Sequence, residues 1–252
     1  MQLYKLEQIQ PEQRTIVGEK AFYLSRLMQH GYPVIPGFVV PADICCEFLS
    51  TLNSTPLIAD LPNSSLHIDV ENYRQLRQVA QTLQQEILTA TVSPKLMQLL
   101  SNPEWLWQTP ALIFRPSLGL NIATSDLNTN GLLSAQMICS CDDGDTESVL
   151  VLALKRTWSQ LVRARSLVFW QQHGIEWQQI NLAVLVQPLT NAIASGVLNY
   201  NSSDVIEITA CWGLGIAHTR GEVLRDYYQV DAITGAVRSQ QLGNKILAYG
   251  LL

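Results

Sequence analysis

Charge is scarce in this chain of 252 residues. Only 15% are Asp, Glu, Lys or Arg, and the formal net charge is −5. No dense Lys/Arg run occurs, which excludes an extended nucleic-acid surface. Long apolar runs are lacking too: the longest, Val149–Leu154 and Leu182–Val186, are far too short to cross a bilayer as a helix. The opening Met1-Gln2-Leu3-Tyr4-Lys5-Leu6-Glu7 has no basic-then-apolar signal pattern. Cysteine is sparse at five, and without a signal the five read as thiols of a reducing compartment. Cys139-Ser140-Cys141 before Asp142-Asp143-Gly144-Asp145 has neither a second ligand pair nor regular oxygen-ligand spacing. It reads as a strand end and an acidic turn, so no metal site is expected. Repeats and low-complexity segments are also missing. The expectation is a cytoplasmic protein without membrane or nucleic-acid partners.

What is present is apolar residue, 47% of the chain, enough for a large core. Val17 to Val40 is the most informative stretch. A Gly18-Glu19-Lys20 turn precedes a short helix with Ala21, Leu24, Leu27 and Met28 at helical spacing, and Gly31 suits a left-handed cap. Pro33, Pro36 and Gly37 then hold the chain extended into Phe38-Val39-Val40. Lys20 opposes the helix dipole, at a few tenths to about 1 kcal/mol, unless an anion binds there. It is either a phosphate ligand or a solvated surface lysine.

Further along, Pro41-Ala42-Asp43 opens a helix to about Leu52, and Pro56, Pro62, Asn63, Ser64 and Ser65 form a turn. Asp69 is placed to cap a helix with Tyr73, Leu76, Ala80, Leu83 and Ile87 on one face. Ser93-Pro94 starts another, and Trp105 and Trp107 close the helical region. From Ala111 the pattern turns to short apolar runs. Ala111–Phe114 reads as a strand ending at Arg115-Pro116-Ser117, and a polar stretch leads to Gly131 and a strand to about Cys139. Residues 147 to 172 read as the longest helix, ended by His173-Gly174. Leu182–Val186 closes on Gln187-Pro188; Ser195–Leu198, Val205–Ile208 and Val223–Val230 are further strands, and Asp231 to Gly235 is a hairpin turn. This order predicts an α+β fold. It divides into a mostly helical part, 1–110, carrying the Lys20 loop, and an α+β part, 111–252.

Arg115 is the second notable cation. Its planar fork suits phosphate, and Gly131 would let backbone approach a ligand closely. An exposed arginine beside a loop is the plain alternative. The Gln187 amide is either a reader of a base edge or an ordinary strand-end residue. Trp212-Gly213-Leu214-Gly215 is no full dinucleotide fingerprint.

Taken in order, these segments resemble the opening domain of phosphoenolpyruvate synthase and pyruvate phosphate dikinase. Val17-Gly18-Glu19-Lys20-Ala21-Phe22-Tyr23-Leu24 and Gly31-x-Pro33-Val34-x-Pro36-Gly37-Phe38 are similar to the family's Gly-Gly-Lys-Gly-Ala-Asn-Leu and Gly-x-Pro-Val-Pro-Pro-Gly-Phe. Phe114-Arg115-Pro116-Ser117 resembles Val-Arg-Ser-Ser, Gly131 the glycine of Ala-Gly-Gln, and Val184-Leu185-Val186-Gln187 Val-Val-Val-Gln. Ser195-Gly196-Val197, Gly213-Leu214-Gly215 and Gly221-Glu222-Val223 with Asp226 continue in step.

The resemblance implies an ATP-grasp-like, kinase- or phosphotransferase-type nucleotide-binding domain. Lys20 and Arg115 would hold ATP phosphates, and Gly131 and Gln187 would contact the nucleotide. Mg²⁺ would accompany ATP through ligands these residues do not identify, and no catalytic residue is assigned. The resemblance also implies that a longer chain or a protein partner supplies the phosphohistidine and pyruvate-binding domains. None of His30, His67, His173 or His218 sits in a Thr-Ser-His context. The chain is therefore expected to be incomplete for phosphoryl transfer alone. The alternative is a degenerate, non-catalytic member acting in regulation or assembly through protein contacts. Five positions depart from the pattern: Glu19 and Ala21 stand for glycines, Leu132 for Gln, Ala135 for Thr, and Ile216 for Glu. Glu19 is expected to bring negative charge to the phosphate position.

Overall fold

A computed structural model describes residues 2–52, 72–100, 111–120, 129, 131–139, 146–201, 204–217 and 221–251. Trp105, Trp107, His67, His218, Asp69, the polar stretch 121–128 and the acidic turn 140–145 lie outside the described residues. The architecture is α+β, as the ATP-grasp-like expectation requires. It forms two compact units, Met1–Leu189 and Thr190–Leu252. The described helices before Ala111 thus share a unit with the strands between Ala111 and Leu189.

In the first unit the strands are β1 (Tyr4–Lys5), β2 (Phe38–Val40), β3 (Ala111–Leu120), β4 (Gln136–Cys139) and β5 (Ile180–Pro188). They form one antiparallel sheet in the order β1-β2-β5-β3-β4. Both faces of β5 are covered, which explains its unbroken apolar run Leu182–Val186. Leu112, Phe114, Leu182, Val184 and Val186 face a core built with α2 (Ala42–Ser50), α3 (Tyr73–Thr89), α4 (Pro94–Leu100), α5 (Thr146–Trp158) and α6 (Ala164–Gln172). Ala183 and Leu185 face the other way, onto Val17 and Ala21 of α1 (Arg14–Gln29).

The α3 stripe is as read: Leu76, Ala80, Leu83 and Ile87 are buried. Asn72 caps it by accepting from the Gln75 N–H at 3.2 Å. Ser93 caps α4 through the Leu96 N–H at 3.3 Å. Gly31 closes α1 in a Schellman turn, its N–H bonding the Met28 carbonyl while that of Tyr32 reaches Leu27. The same closure follows α6, where the N–H groups of Gly174 and Ile175 bond Gln171 and Trp170.

Four expectations change. Leu27 is exposed and Ser25 takes the buried place on α1. Strand β3 does not stop at Arg115 but runs to Leu120. Pro116 is tolerated inside it because β4 pairs only with Ala111–Phe114, so that side of the strand needs no N–H there. The expected helix over 147–172 is two helices separated by a 3-10 turn, Ser159–Val162, with Arg163 extended (ψ 148°). Buried polar bonds hold that break: Gln160 Nε2 donates to the Ser134 carbonyl at 2.8 Å, its Oε1 accepts from the Ser134 N–H at 2.6 Å, and Ser166 Oγ donates to the Gln160 carbonyl at 2.7 Å.

The fourth change lies in the second unit, where β8 starts at Asp226 instead of Val223. This unit is an antiparallel meander of β6 (Ala194–Asn201), β7 (Val205–Trp212), β8 (Asp226–Asp231) and β9 (Val237–Gln241). The register sets Leu198, Ile208 and Tyr228 on one face with Tyr200, Ile206 and Val230. Leu198 and Tyr200 there are largely exposed. The opposite face carries a polar chain in which Tyr227 Oη donates to Glu207 at 2.7 Å and accepts from Gln229 at 3.1 Å. Asp231 caps the hairpin turn through the N–H groups of Ile233 and Thr234.

Candidate functional site

The site begins with a helix pressed onto a strand. Gly18 interrupts α1 with φ 76° and ψ 165°, values open to glycine. A Cβ there would lie 2.1 Å from the Ser117 carbonyl oxygen. The helix resumes at Glu19 and Lys20, and the third N–H, that of Ala21, donates to Ser117 Oγ at 2.9 Å. A side chain from β3 thus caps the resumed helix, as its own N-cap residue would elsewhere. Ser117 and Arg115 are two apart on β3 and so share the face that α1 covers.

Arg115 is half-buried and Gln187 buried. Gln187 pairs with Ile113 across β5 and β3, so Arg115 is its diagonal neighbour. Arg115 Nη1 donates to Gln187 Oε1 at 3.0 Å, and Gln187 Nε2 donates to the Ile35 carbonyl at 2.6 Å. The loop after α1 therefore holds the glutamine, and the glutamine holds the arginine. Burial lowers the Arg115 pKa, though a guanidinium stays charged.

Lys20 remains exposed, yet surrounding protein atoms and then the Arg115 charge lower its pKa to about 8. Among the described residues neither Lys20 nor Arg115 has an acidic partner. The structure thus brings Lys20, Arg115 and Gln187 to one region, with two cations whose mutual repulsion an anion would relieve.

Gly131 stands in the turn before β4 with φ 77°, and among the described residues no atom lies within 4 Å of the Cβ it lacks. The N–H of Leu132 bonds the Thr129 carbonyl at 3.1 Å, and Leu132 itself is buried in the core. The Ser134–Gln160 bonds tether the segment that follows it.

The Glu19 carboxylate, expected to bring negative charge beside Lys20, is bound by Arg14, with Nε to Oε1 and Nη2 to Oε2 both at 2.9 Å. Ser117, Gln160 and Arg14 are residues that sequence reasoning missed. The two-residue step from Arg115 along an extended strand was the one available signal, for Ser117.

In the second unit, Gly213 and Leu214 are held from the chain's last described segment. The Leu214 N–H bonds the Tyr249 carbonyl at 2.7 Å, and Ser195 Oγ donates to the Gly213 carbonyl at 2.6 Å. Asp226, buried, pairs with Lys245 and accepts from the Gly243 N–H at 2.9 Å. The Lys245 bond holds the Asp226 pKa below its usual value. Among the described residues no cluster of three or more His, Cys, Asp or Glu side chains could hold a metal ion. No helix there is long and apolar enough to cross a membrane.

Comparison with known proteins gives this arrangement its context. Residues 14–249 match the AMP/ATP-binding domain of pyruvate phosphate dikinase. The probable phosphoenolpyruvate synthase of Methanothermobacter thermautotrophicus is 28% identical over 243 residues, 93% of this chain and 34% of that protein. That of Staphylothermus marinus is 25% identical over 252 residues, 96% of this chain and 30% of its own length. The rifampicin phosphotransferase of Bacillus subtilis is 23% identical over 97% of this chain and 28% of that protein. The chain spans about a third of these curated relatives. It belongs to the pyruvate phosphate dikinase AMP/ATP-binding domain family.

Proposed function

We propose that this chain is a cytoplasmic ATP-binding module in which Lys20 and Arg115 hold the phosphates. The observation that carries the reading is the pair of neighbouring cations lacking a carboxylate among the described residues, one of them at the start of a helix. Placing positive charges together is unfavourable, and a polyphosphate reverses the sign of that interaction. Gln187 orients the Arg115 fork from behind and presents its remaining amide hydrogen to the nucleotide. Gly131 allows backbone approach on the other side of the ligand. No carboxylate cluster for Mg²⁺ is available among the described residues, so no step is routed through the metal. The module binds and positions ATP, while a longer chain or a partner supplies the phosphohistidine and pyruvate-binding parts.

Lys20 itself offers the test. An exposed amine with a pKa near 8 is more nucleophilic at neutral pH than an ordinary lysine. Modification by an amine-selective reagent, mapped by mass spectrometry, should favour Lys20 and be blocked by Mg·ATP. Labelling of Lys20 unchanged at millimolar ATP would contradict the reading. The second reading, a non-catalytic member acting through protein contacts, has the exposed apolar face around Leu198 and Tyr200 on its side. It predicts the same absence of ATP protection.

A further inference from the structure

Glu19 and Arg14 form a device that the cation pair alone does not explain. At the start of a helix a carboxylate is favourably placed, because backbone N–H groups and the dipole attract it. Left free, Glu19 would occupy the space in front of the resumed helix that an anion also wants, next to Lys20. Arg14, on the other side of the Gly18 kink in sequence, binds it instead. Its guanidinium makes two parallel bonds to Glu19 and a third, from Nη2 to Tyr23 Oη, at 3.1 Å. The Arg14 Cζ also sits 5.4 Å from the Phe22 and Tyr23 ring centres. Exposed ion pairs are usually weak, but a bidentate fork that is also stacked is already held in its bonded geometry.

We infer that Arg14 is a positioning residue for the anion site, retaining the Glu19 carboxylate away from Lys20 so that Lys20 stays free for phosphate. This rests on the ATP-binding reading, in which the Arg14–Glu19 pair offsets the replacement of glycine by Glu19. Arg14 touches no ligand itself.

The test is a cycle of Arg14→Ala, Glu19→Gln and the double variant, followed by two readouts. The first is Mg·ATP affinity: Arg14→Ala should weaken it about 5- to 20-fold, and the double variant should recover wild-type affinity. Glu19→Gln alone should bind at least as tightly as wild type. The second is the titration of Lys20 by NMR without nucleotide. Freed Glu19 should move the Lys20 midpoint up from about 8, and the double variant should return it. An Arg14→Ala protein with unchanged affinity and an unchanged Lys20 midpoint would overturn the inference while leaving ATP binding standing. Should the wild type bind no ATP, the underlying reading falls, and the Lys20 midpoint alone then decides whether Arg14 holds Glu19 away.

Discussion

The Ala21 N–H and the Ser117 hydroxyl meet at 2.9 Å across 96 residues of sequence, both residues fully buried. Together with the packing of Val17 and Ala21 on Ala183 and Leu185, this bond ties α1 to the sheet where Lys20 lies beside Arg115. Ser117→Ala removes the acceptor and strands a buried donor, at a cost of about 1–3 kcal/mol. The loss should appear as a lower urea midpoint at unchanged slope.

Two glycines of the site should respond very differently to alanine. Gly18→Ala meets both a left-handed φ and a Cβ at 2.1 Å from the Ser117 carbonyl oxygen. It should destabilise the protein by about 3 kcal/mol or more. Gly131→Ala has the φ of 77° to contend with, while among the described residues no atom lies within 4 Å of its Cβ. It should cost about 1–2 kcal/mol. If Gly131 borders the nucleotide, its alanine variant loses ATP affinity out of proportion to that stability loss. Thermal denaturation and ATP titration of the two variants separate these effects.

The low Lys20 pKa gives two pH signatures of defined sign. Phosphate binding needs the protonated amine, so Mg·ATP affinity should be flat below pH 8 and fall as pH rises above it. Stability behaves the opposite way. The folded value, about 8, lies below the ordinary 10.5. Between these values the unfolded chain binds more protons, and stability therefore rises with pH. Comparing wild type with Lys20→Met from pH 7 to 10.5 isolates the effect. A wild-type curve parallel to that of the variant would contradict it.

Gln187 should matter for both fold and ligand. Gln187→Leu keeps much of the volume but removes the acceptor of Arg115 and the donor to the Ile35 carbonyl. A stability loss of about 1–3 kcal/mol is expected. Mg·ATP binding should weaken severalfold as the Arg115 fork loses its orientation. Equilibrium unfolding and calorimetry on one preparation check both.

Periodicity made much of this legible. The α3 stripe, the Ser93 cap and the closing glycines of α1 and α6 are local features, and local rules found them. The two cations could also be singled out, Lys20 because it opposes the helix dipole and Arg115 because its planar fork stands on a strand before a polar loop. What stayed hidden depends on distant partners. The break at Gln160 exists because its amide bonds Ser134, 26 residues earlier, and nothing nearby announces it. The continuation of β3 through Pro116 depends on where β4 stops. Arg14 and Glu19 are five apart, a spacing that does not bring side chains together on a regular helix. Only the kink at Gly18 makes them neighbours, and it is visible only once Ser117 is known to lie behind it.

Isothermal calorimetry with Mg·ATP on wild type and Lys20→Ala tests the central claim most directly. The account predicts micromolar binding by the wild type and a loss of about 10- to 100-fold in the variant, the value of one charge-assisted contact. Equal affinity in the two proteins, or no heat at millimolar ATP, would contradict it.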